Sequence, residues 1–389
     1  MVARPHLSTP EDFRARFPIF LQKVHLASCS QGAVPVDAIE ALDAYRATLR
    51  EDGADWDRWM EQVDAARCAF ARLIGAQPEE VAAVPSASAG AAAVASALFP
   101  APEAAGRNVI VTSDLEFPSI AHVWLAQRNR GAAVRFVRSE NGVIDAARWL
   151  EAIQPDTRLV SAHTVAYTNG ARNDLDAIVR RAREAGALVF ADAYQGAGVV
   201  PIDVRRTPVD FLVAGALKYL LAIPGIAFLY VRAEVAESLF PSVTGWFGQR
   251  NPYAFDPFHL EPAPGALRFQ AGTPAVPAAY AAAASMALIE AAGVERIWAH
   301  VQRLAARLTD RLRAAGVPLL SPADPALRGP QVAAIVPNPD AIAQALAREG
   351  FVVSPRGRAV RLSLHYYNTE DDVDAVADAL TALVRATSA

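Results

Sequence analysis

The sequence predicts an α/β fold, a large domain on a mostly parallel sheet followed by a smaller α+β C-terminal domain, and three observations carry this. At 389 residues the chain is too long for one ordinary core and suits a large unit plus a smaller one. Strand-like apolar runs alternate with helical patterns, the signature of parallel strands joined by helical crossovers. The stretch Gly186 to Arg232 contains three such runs, Ala187 to Ala191, Val209 to Ala214 and Gly225 to Val231. Each is rich in β-branched or aromatic residues and bounded by Gly, Pro or charge, so each reads as a strand buried on both faces. The expected boundaries are an N-terminal segment over 1–30, the large domain over 31–270, and a linking helix with the small domain over 271–389.

In chain order, Thr9-Pro10-Glu11-Asp12 signals a short helix ending by about Pro18. Residues 36–75 read as two helices, the second with Trp59, Val63, Ala66, Phe70 and Leu73 on one face as a core stripe. Val81 to Val84 reads as a strand, and Pro85-Ser-Ala-Ser-Ala-Gly-Ala91 opens an Ala-rich helix. Val109 to Thr112 and Ala133 to Val137 read as strands, and about Ala146 to Ile153 as a helix. Asp174 to Ala185 is a helix closed by Gly186 before the central strand. Between Gly245 and Gly265 the composition turns to Trp, Tyr, Phe, Pro and Asn without period, a long aromatic loop suited to shaping an entrance. A long helix from roughly Ala278 to Gly293, continuing in part to Ala315, bridges to the last unit. From Val332 that unit reads strand, helix at Pro339 to Glu349, strand at Val352 to Ser354, strand at Val360 to Ser363 and helix from Glu370.

Composition narrows the function. A net charge near −4 without a basic stripe argues against nucleic acid as a partner. Two cysteines, Cys29 and Cys68, give neither a disulfide framework nor a metal-ligand spacing, and suit a reducing cytoplasm. The N-terminus carries charge and Pro rather than an apolar core, so no signal peptide is expected. The uncharged run Phe269 to Ile289 is mostly Ala with prolines near its start and reads as a buried helix, not a membrane span. Gln195-Gly-Ala-Gly198 lacks the third Gly and following helix of a dinucleotide site.

Chemistry concentrates where the central runs end, the first in Asp192 and the second leading into Lys218. Ligands of open α/β sheets sit outside the carboxyl ends of the strands. Lys23 and Lys218 are the two lysines in a Lys plus Arg total of 37. Arg keeps its proton near neutral pH, whereas a buried Lys can lose it and condense with an aldehyde. A lone Lys at a strand end also snorkels or pairs with a carboxylate for structural reasons alone; the depletion of Lys elsewhere and Asp192 nearby favour chemistry. An imine-forming Lys beside a buried Asp suits pyridoxal 5′-phosphate, the Asp keeping the pyridine nitrogen protonated.

Asp192-Ala-Tyr-Gln195, with Asp210-Phe-Leu-Val-Ala-Gly-Ala-Leu-Lys218 followed by Pro224-Gly225, resembles the signatures of the class V aminotransferase group. These are fold-type I, aspartate aminotransferase-like pyridoxal-phosphate enzymes and include cysteine desulfurases, kynureninases, selenocysteine lyases and isopenicillin-epimerase-like proteins. The resemblance spans nearly the whole chain. It implies that Gln195 meets the cofactor's phenolic oxygen and that Ser86, Ala87 and Ser88 form the phosphate-binding turn. A small-residue turn opening a helix offers free N–H groups to a phosphate, although any N-cap looks similar. Phe117 holds the place of the desulfurase His that stacks on the ring; it stacks without shuttling protons, or it is a core Phe. Arg361, in Arg361-Leu-Ser followed by Asn368-Thr369, is implied to bind the substrate α-carboxylate, with a structural strand Arg as the alternative. Asn368-Thr369 also reads as a helix cap. Thr273, in Arg268-Phe-Gln-Ala-Gly-Thr273-Pro, is implied to reach the phosphate in a neighbouring subunit, hence a homodimer with shared active sites.

The segment His25 to Gly32 is implied to line the substrate pocket, with Ser28, Ser30 and Gln31 as candidates or as turn-formers. Trp246 and Phe247 of the aromatic loop are pocket-lining candidates. Cys29 has nothing nearby to activate its thiol, and His163 reads as a satisfied core histidine. The family's Asn near the phenolic oxygen falls at about Ala166 and Tyr167 here, and Leu217 stands where the family prefers His, Gln or Arg.

The implied enzyme acts on an amino acid through an external aldimine, Lys218 taking the α-proton. Ser354-Pro-Arg-Gly-Arg358 fills the place of the desulfurases' persulfide Cys, which favours a lyase acting by β-elimination with C–S cleavage. An aminotransferase, a kynureninase-like hydrolase and an inactive scaffold subunit are the alternatives.

Overall fold

The computed structural model describes residues 9–100 and 106–388; the first residues, on which the signal-peptide expectation rests, lie outside them. Helix α1 (Pro10–Arg14) starts at its expected cap, the Thr9 hydroxyl accepting the Asp12 N–H at 3.1 Å. Strand β1 (Val24–His25) precedes α2 (Val36–Glu51) and α3 (Trp56–Leu73), which buries the stripe Trp59, Val63, Ala66 and Phe70.

Seven strands build the central sheet: β2 (Val81–Val84), β3 (Val109–Ser113), β4 (Ala133–Val137), β5 (Thr157–His163), β6 (Leu188–Asp192), β7 (Phe211–Gly215) and β8 (Ala227–Val231), in the order β2-β8-β7-β6-β5-β3-β4. Pairing is parallel from β7 to β4, and β8 runs antiparallel to both β7 and β2. Strand β2 therefore points the same way as β7, and the carboxyl ends of β2, β3, β5, β6 and β7 share one edge. Alternate residues enter two separate cores: Phe228 and Tyr230 of β8 join one, Ala227, Leu229 and Val231 the other. Both faces are thus covered, which is why the strands read as continuous apolar runs. The exception is β5, whose Thr157, Arg158, Ser161 and His163 interrupt the pattern; no strand is read there from the sequence.

Crossover helices α4 (Ala87–Leu98), α5 (Pro118–Ala126), α6 (Ala146–Ala152) and α7 (Leu175–Glu184) follow their strands, and a short α8 (Ala233–Ala236) follows β8. The expected long helix is two, α9 (Val276–Ala292) and α10 (Val294–Ala314), meeting at 77°. Gly293 makes the break with φ +82°, a left-handed conformation that disfavours side chains. Among the described residues no single helix is long and apolar enough to cross a membrane.

A separate antiparallel sheet, order β11-β12-β9, closes the chain: β9 (Gln331–Ile335), α11 (Pro339–Arg348), β10 (Phe351–Val352), β11 (Ser354–Arg356), β12 (Ala359–Ser363) and α12 (Glu370–Ser388). Strand β10 leaves this sheet to pair in parallel with β1, splitting the expected strand at 352–354. Arg14 adds a fork onto Asp372, at 2.6 and 3.1 Å, so the N-terminal segment is tied to the C-terminal unit. Asp372 also completes a capping box with Thr369, each side chain accepting the other's N–H at 3.1 Å.

Candidate active site

At the shared edge of the central sheet lies a cavity of about 280 Å³, lined by Ser86, Ala87, Ser88, Phe117, Asp192, Gln195 and Lys218 together with Glu116, His163, Tyr167 and Tyr194. Most of these residues are placed by strand ends. Ser86 caps α4 directly after β2, its hydroxyl accepting the Ala89 N–H at 3.1 Å. The first-turn N–H groups beyond it have no intrahelical acceptor and sit at the positive end of the helix. Asp192 is the last residue of β6, next to Val213 of β7, and its Oδ1 accepts the Tyr194 N–H at 2.8 Å.

Lys218 follows β7 on a tightly held turn. The Lys218 carbonyl accepts the Leu221 N–H at 3.1 Å, Ala222 N–H reaches the Ala216 carbonyl at 3.0 Å, and Gly32 N–H reaches the Leu217 carbonyl at 2.8 Å. A Cβ on Gly32 would lie 2.1 Å from the Lys218 carbonyl oxygen, so only glycine permits this approach. Leu221 takes φ +61°, strain of roughly 1–2 kcal/mol that the surrounding bonds hold in place, including Ser285 Oγ on the Leu221 carbonyl at 2.9 Å. Lys218 Nζ ends 4.4 Å from the Tyr194 ring centroid and 5.3 Å from that of Phe117.

Burial sets the protonation of the site. It lowers Lys218 to about 8 against the attraction of Asp192. It raises Asp192, tempered by the Tyr194 N–H and by Lys218. It raises Glu116 well above the usual range, with the neighbouring Asp192 charge adding to the effect. His163 is lowered to about 4 by burial, so its ring is neutral. The structure corrects the reading of His163 as satisfied: it lines the cavity and its Nδ1 has no partner. Gln195 donates Nε2 to the Cys29 carbonyl at 3.0 Å and leaves Oε1 without one. A buried amine of lowered pKa, a carboxylate, a helix N-terminus and two unpartnered polar atoms in one cavity fit the pyridoxal phosphate suggested by the sequence.

The substrate-side candidates divide. Arg361 is 1 % exposed, donating Nη1 to the Tyr167 carbonyl at 2.6 Å and Nη2 to Ser354 Oγ at 2.6 Å. Tyr167 itself lines the cavity, so the guanidinium lies directly behind that wall, close enough for its charge to help lower Lys218. Ser28 does not line the cavity; its hydroxyl pairs with the Tyr367 phenol at 2.5 Å. Gln31 spends Nε2 on the Gly32 and Ala222 carbonyls at 3.1 and 3.0 Å, and Ser30, between them in sequence, is the residue that reaches the cavity. Trp246 packs on Phe247 at 4.3 Å and Trp56 at 5.9 Å, outside the cavity. Thr273 is exposed and also outside it. Glu116, Tyr194 and Tyr167 were not singled out as site residues from the sequence. The available signals were a carboxylate just past an apolar strand at Glu116 and, for Tyr194, its place inside Asp192-Ala-Tyr-Gln195.

Comparison with known proteins identifies the family of the chain. The family model for aminotransferase class-V matches residues 33–376. The chain is 37% identical to an uncharacterized aminotransferase, YcbU, of Bacillus subtilis (strain 168), over 96% of this chain and 98% of that one. It is 31% identical to isopenicillin N epimerase of Streptomyces clavuligerus, over 96% and 98% of the respective chains. The apo structure of a cysteine desulfurase from Thermococcus onnurineus NA1 superposes with a TM-score of 0.86, at 24% identity and covering 97% of this chain and 98% of that one, a likeness of fold.

Proposed function

The chain belongs to the aminotransferase class-V family of pyridoxal-phosphate-dependent enzymes, and from that premise we propose that it cleaves a C–S bond in a cysteine-type amino acid by β-elimination. The observation that carries the reading is the convergence of Lys218, Asp192 and the α4 N-terminus on one cavity. When bound, pyridoxal phosphate supplies an aldehyde that captures amines and a protonated ring that absorbs the electron pair of a substrate carbanion. Ser86, Ala87 and Ser88 would hold its phosphate at the helix N-terminus. Asp192 would keep the ring nitrogen protonated, Phe117 would offer its face to the ring, and Gln195 would supply a polar partner to the phenolic oxygen.

Lys218 holds the aldehyde and, as a free amine, takes the substrate α-proton at Nζ. With its pKa near 8, an appreciable fraction of the amine is neutral at physiological pH. Arg361 attracts the α-carboxylate from behind Tyr167 and so orients the Cα–H toward Lys218. Phe117 carries no proton to give a departing group, which favours substrates whose leaving group departs as a stable anion, a thiolate above all. Cys29 is 1 % exposed and does not line the cavity, and residues 354–358 contain no Cys, which favours cleavage without transfer of sulfur to a protein thiol. The exposed Thr273 is assigned to the site of a second copy, making the working form a homodimer; a monomer by light scattering would remove that assignment.

Transamination is the second reading, favoured by the name of the 37% identical relative and needing the same base and carboxylate clamp. Product analysis separates the two. Incubation with cystine or cysteine conjugates should release pyruvate, ammonia and a thiol or persulfide. Conversion of donor and keto-acid pairs with the side chain intact, and no such release, would overturn the lyase reading.

A further inference from the structure

We propose that Glu116 and Asp192 work as a carboxylic acid–carboxylate pair: a neutral Glu116 donates a hydrogen bond to Asp192 and so sets how firmly Asp192 holds the coenzyme's ring nitrogen. The inference rests on the assignment of Asp192 to that nitrogen and adds a positioning residue that acts through it.

The topology brings the two together. Glu116 lies three residues beyond β3 and Asp192 ends β6, with β5 between them in the sheet. Both side chains line the same cavity, at 4 % and 5 % exposure. The β5 residue Ser161 donates its hydroxyl to Glu116 Oε2 at 3.3 Å, and the Phe117 N–H reaches Glu116 Oε1 at 2.9 Å. Asp192 Oδ1 is met by the Tyr194 N–H at 2.8 Å. Each carboxyl is thus oriented by donors of its own, and the two face one cavity close enough for the charge of Asp192 to act on Glu116.

Two buried carboxyl groups facing one cavity cannot both ionise cheaply, and one proton shared between them is the usual resolution. The groups facing the pair decide which holds it. Lys218, from the turn after β7, lies on the Asp192 side and favours its charge. His163, at the end of β5, is a neutral ring, and Tyr194 is a phenol whose ionisation is opposed by burial. Among the described residues Glu116 has no ion pair with Arg, Lys or His. The proton therefore stays on Glu116, in keeping with the strong upward push that burial and Asp192 exert on it. A donated bond offsets part of the desolvation of Asp192 and keeps it an anion, so a carboxylate rather than a buried neutral acid faces the ring nitrogen and holds it more firmly.

The test compares wild type, Glu116→Gln and Glu116→Ala, apo and loaded with pyridoxal phosphate. Infrared difference spectra of the apo proteins near neutral pH should show the carbonyl stretch of a protonated carboxylic acid in wild type and its loss in Glu116→Gln. The amide keeps a neutral donor, so coenzyme affinity should stay within roughly threefold of wild type and the pH midpoint of the visible band should not move. Glu116→Ala removes the donor, and affinity should fall by roughly tenfold to a hundredfold with a displaced midpoint. The proposal is overturned if Glu116→Gln leaves the infrared band intact, if Gln and Ala weaken binding equally, or if Ala matches wild type. The infrared arm needs no coenzyme: a protein that takes up none refutes the functional reading, while the spectra still decide where the proton sits.

Discussion

The two walls of the cavity are built differently. On the coenzyme side, Ser86, Glu116, His163, Asp192 and Lys218 come from the carboxyl ends of five strands of one sheet, each within a few residues of a strand whose register is fixed by burial on both faces. On the side proposed for the substrate, Ser30 and Tyr167 come from distant loops, and Arg361, behind Tyr167, is joined to it by a bond spanning 194 residues. Rigid strand ends hold the groups common to many reactions, while loops and a second sheet hold those that choose the substrate.

If that division is real, substitutions on the two sides should fail in different ways. The largest effect belongs to Lys218→Ala, which should abolish the visible absorption of the coenzyme-bound protein and lower turnover by roughly a thousandfold or more. Retained yellow colour after removal of free coenzyme, with turnover to match, would break the comparison at its root.

The next effect sharpens the same wall through pH. Lys218 releases its proton at about 8 when folded, against 10.5 for a lysine free in water. Between those values the unfolded apo chain binds more protons than the folded one, so this residue makes stability rise with pH across that window, and below it the penalty is fully present. Apo Lys218→Met escapes the penalty and should be more stable than wild type by roughly 2 kcal/mol at about pH 7, an advantage that shrinks toward about pH 10. Urea denaturation at the two pH values checks this; a pH-independent difference would mean that the amine is not desolvated.

Behind the substrate wall, Arg361→Lys keeps the charge but loses the planar fork that holds the Tyr167 carbonyl and Ser354 in place. It should raise KM for the amino acid by roughly tenfold while coenzyme affinity stays unchanged. An equal loss of coenzyme would show that the two walls are one unit. The smallest effect is expected in the aromatic loop. Phe258, 86 % exposed, should tolerate Phe258→Ser with less than about 0.5 kcal/mol change in stability and unaltered coenzyme binding.

The same division explains what could be read from the sequence. Asp192 and Lys218 were legible because apolar runs locate strand ends and the chemistry of Lys beside Asp is specific, whereas Gln195, Phe117 and the Ser86–Ser88 turn were implied by the family resemblance; all of them line the cavity. Strand β5 was not, because Ser161 and His163 turn polar atoms toward the cavity and break the apolar run that would have revealed it. Ser28 and Gln31 are implied as substrate contacts by the resemblance, and Trp246 is read as one from the aromatic composition of its loop. The structure instead commits Ser28 to Tyr367, Gln31 to backbone carbonyls and Trp246 to an aromatic cluster with Trp56 and Phe247. Such pairings depend on which distant segments meet, information that no local period carries. Gly293 was visible as a residue but not as a 77° corner, since a glycine near the end of an Ala-rich helix reads equally as a cap or as a tolerated interior position.

The two lysines offer a direct trial of the central claim. Lys23 is exposed on the N-terminal segment, whereas Lys218 faces the cavity between Tyr194 and Phe117. Borohydride reduction of the coenzyme-loaded protein, followed by peptide mass mapping, should place the pyridoxyl phosphate adduct on the peptide containing Lys218 and leave Lys23 unmodified. An adduct confined to Lys23, or none at all, would contradict the account.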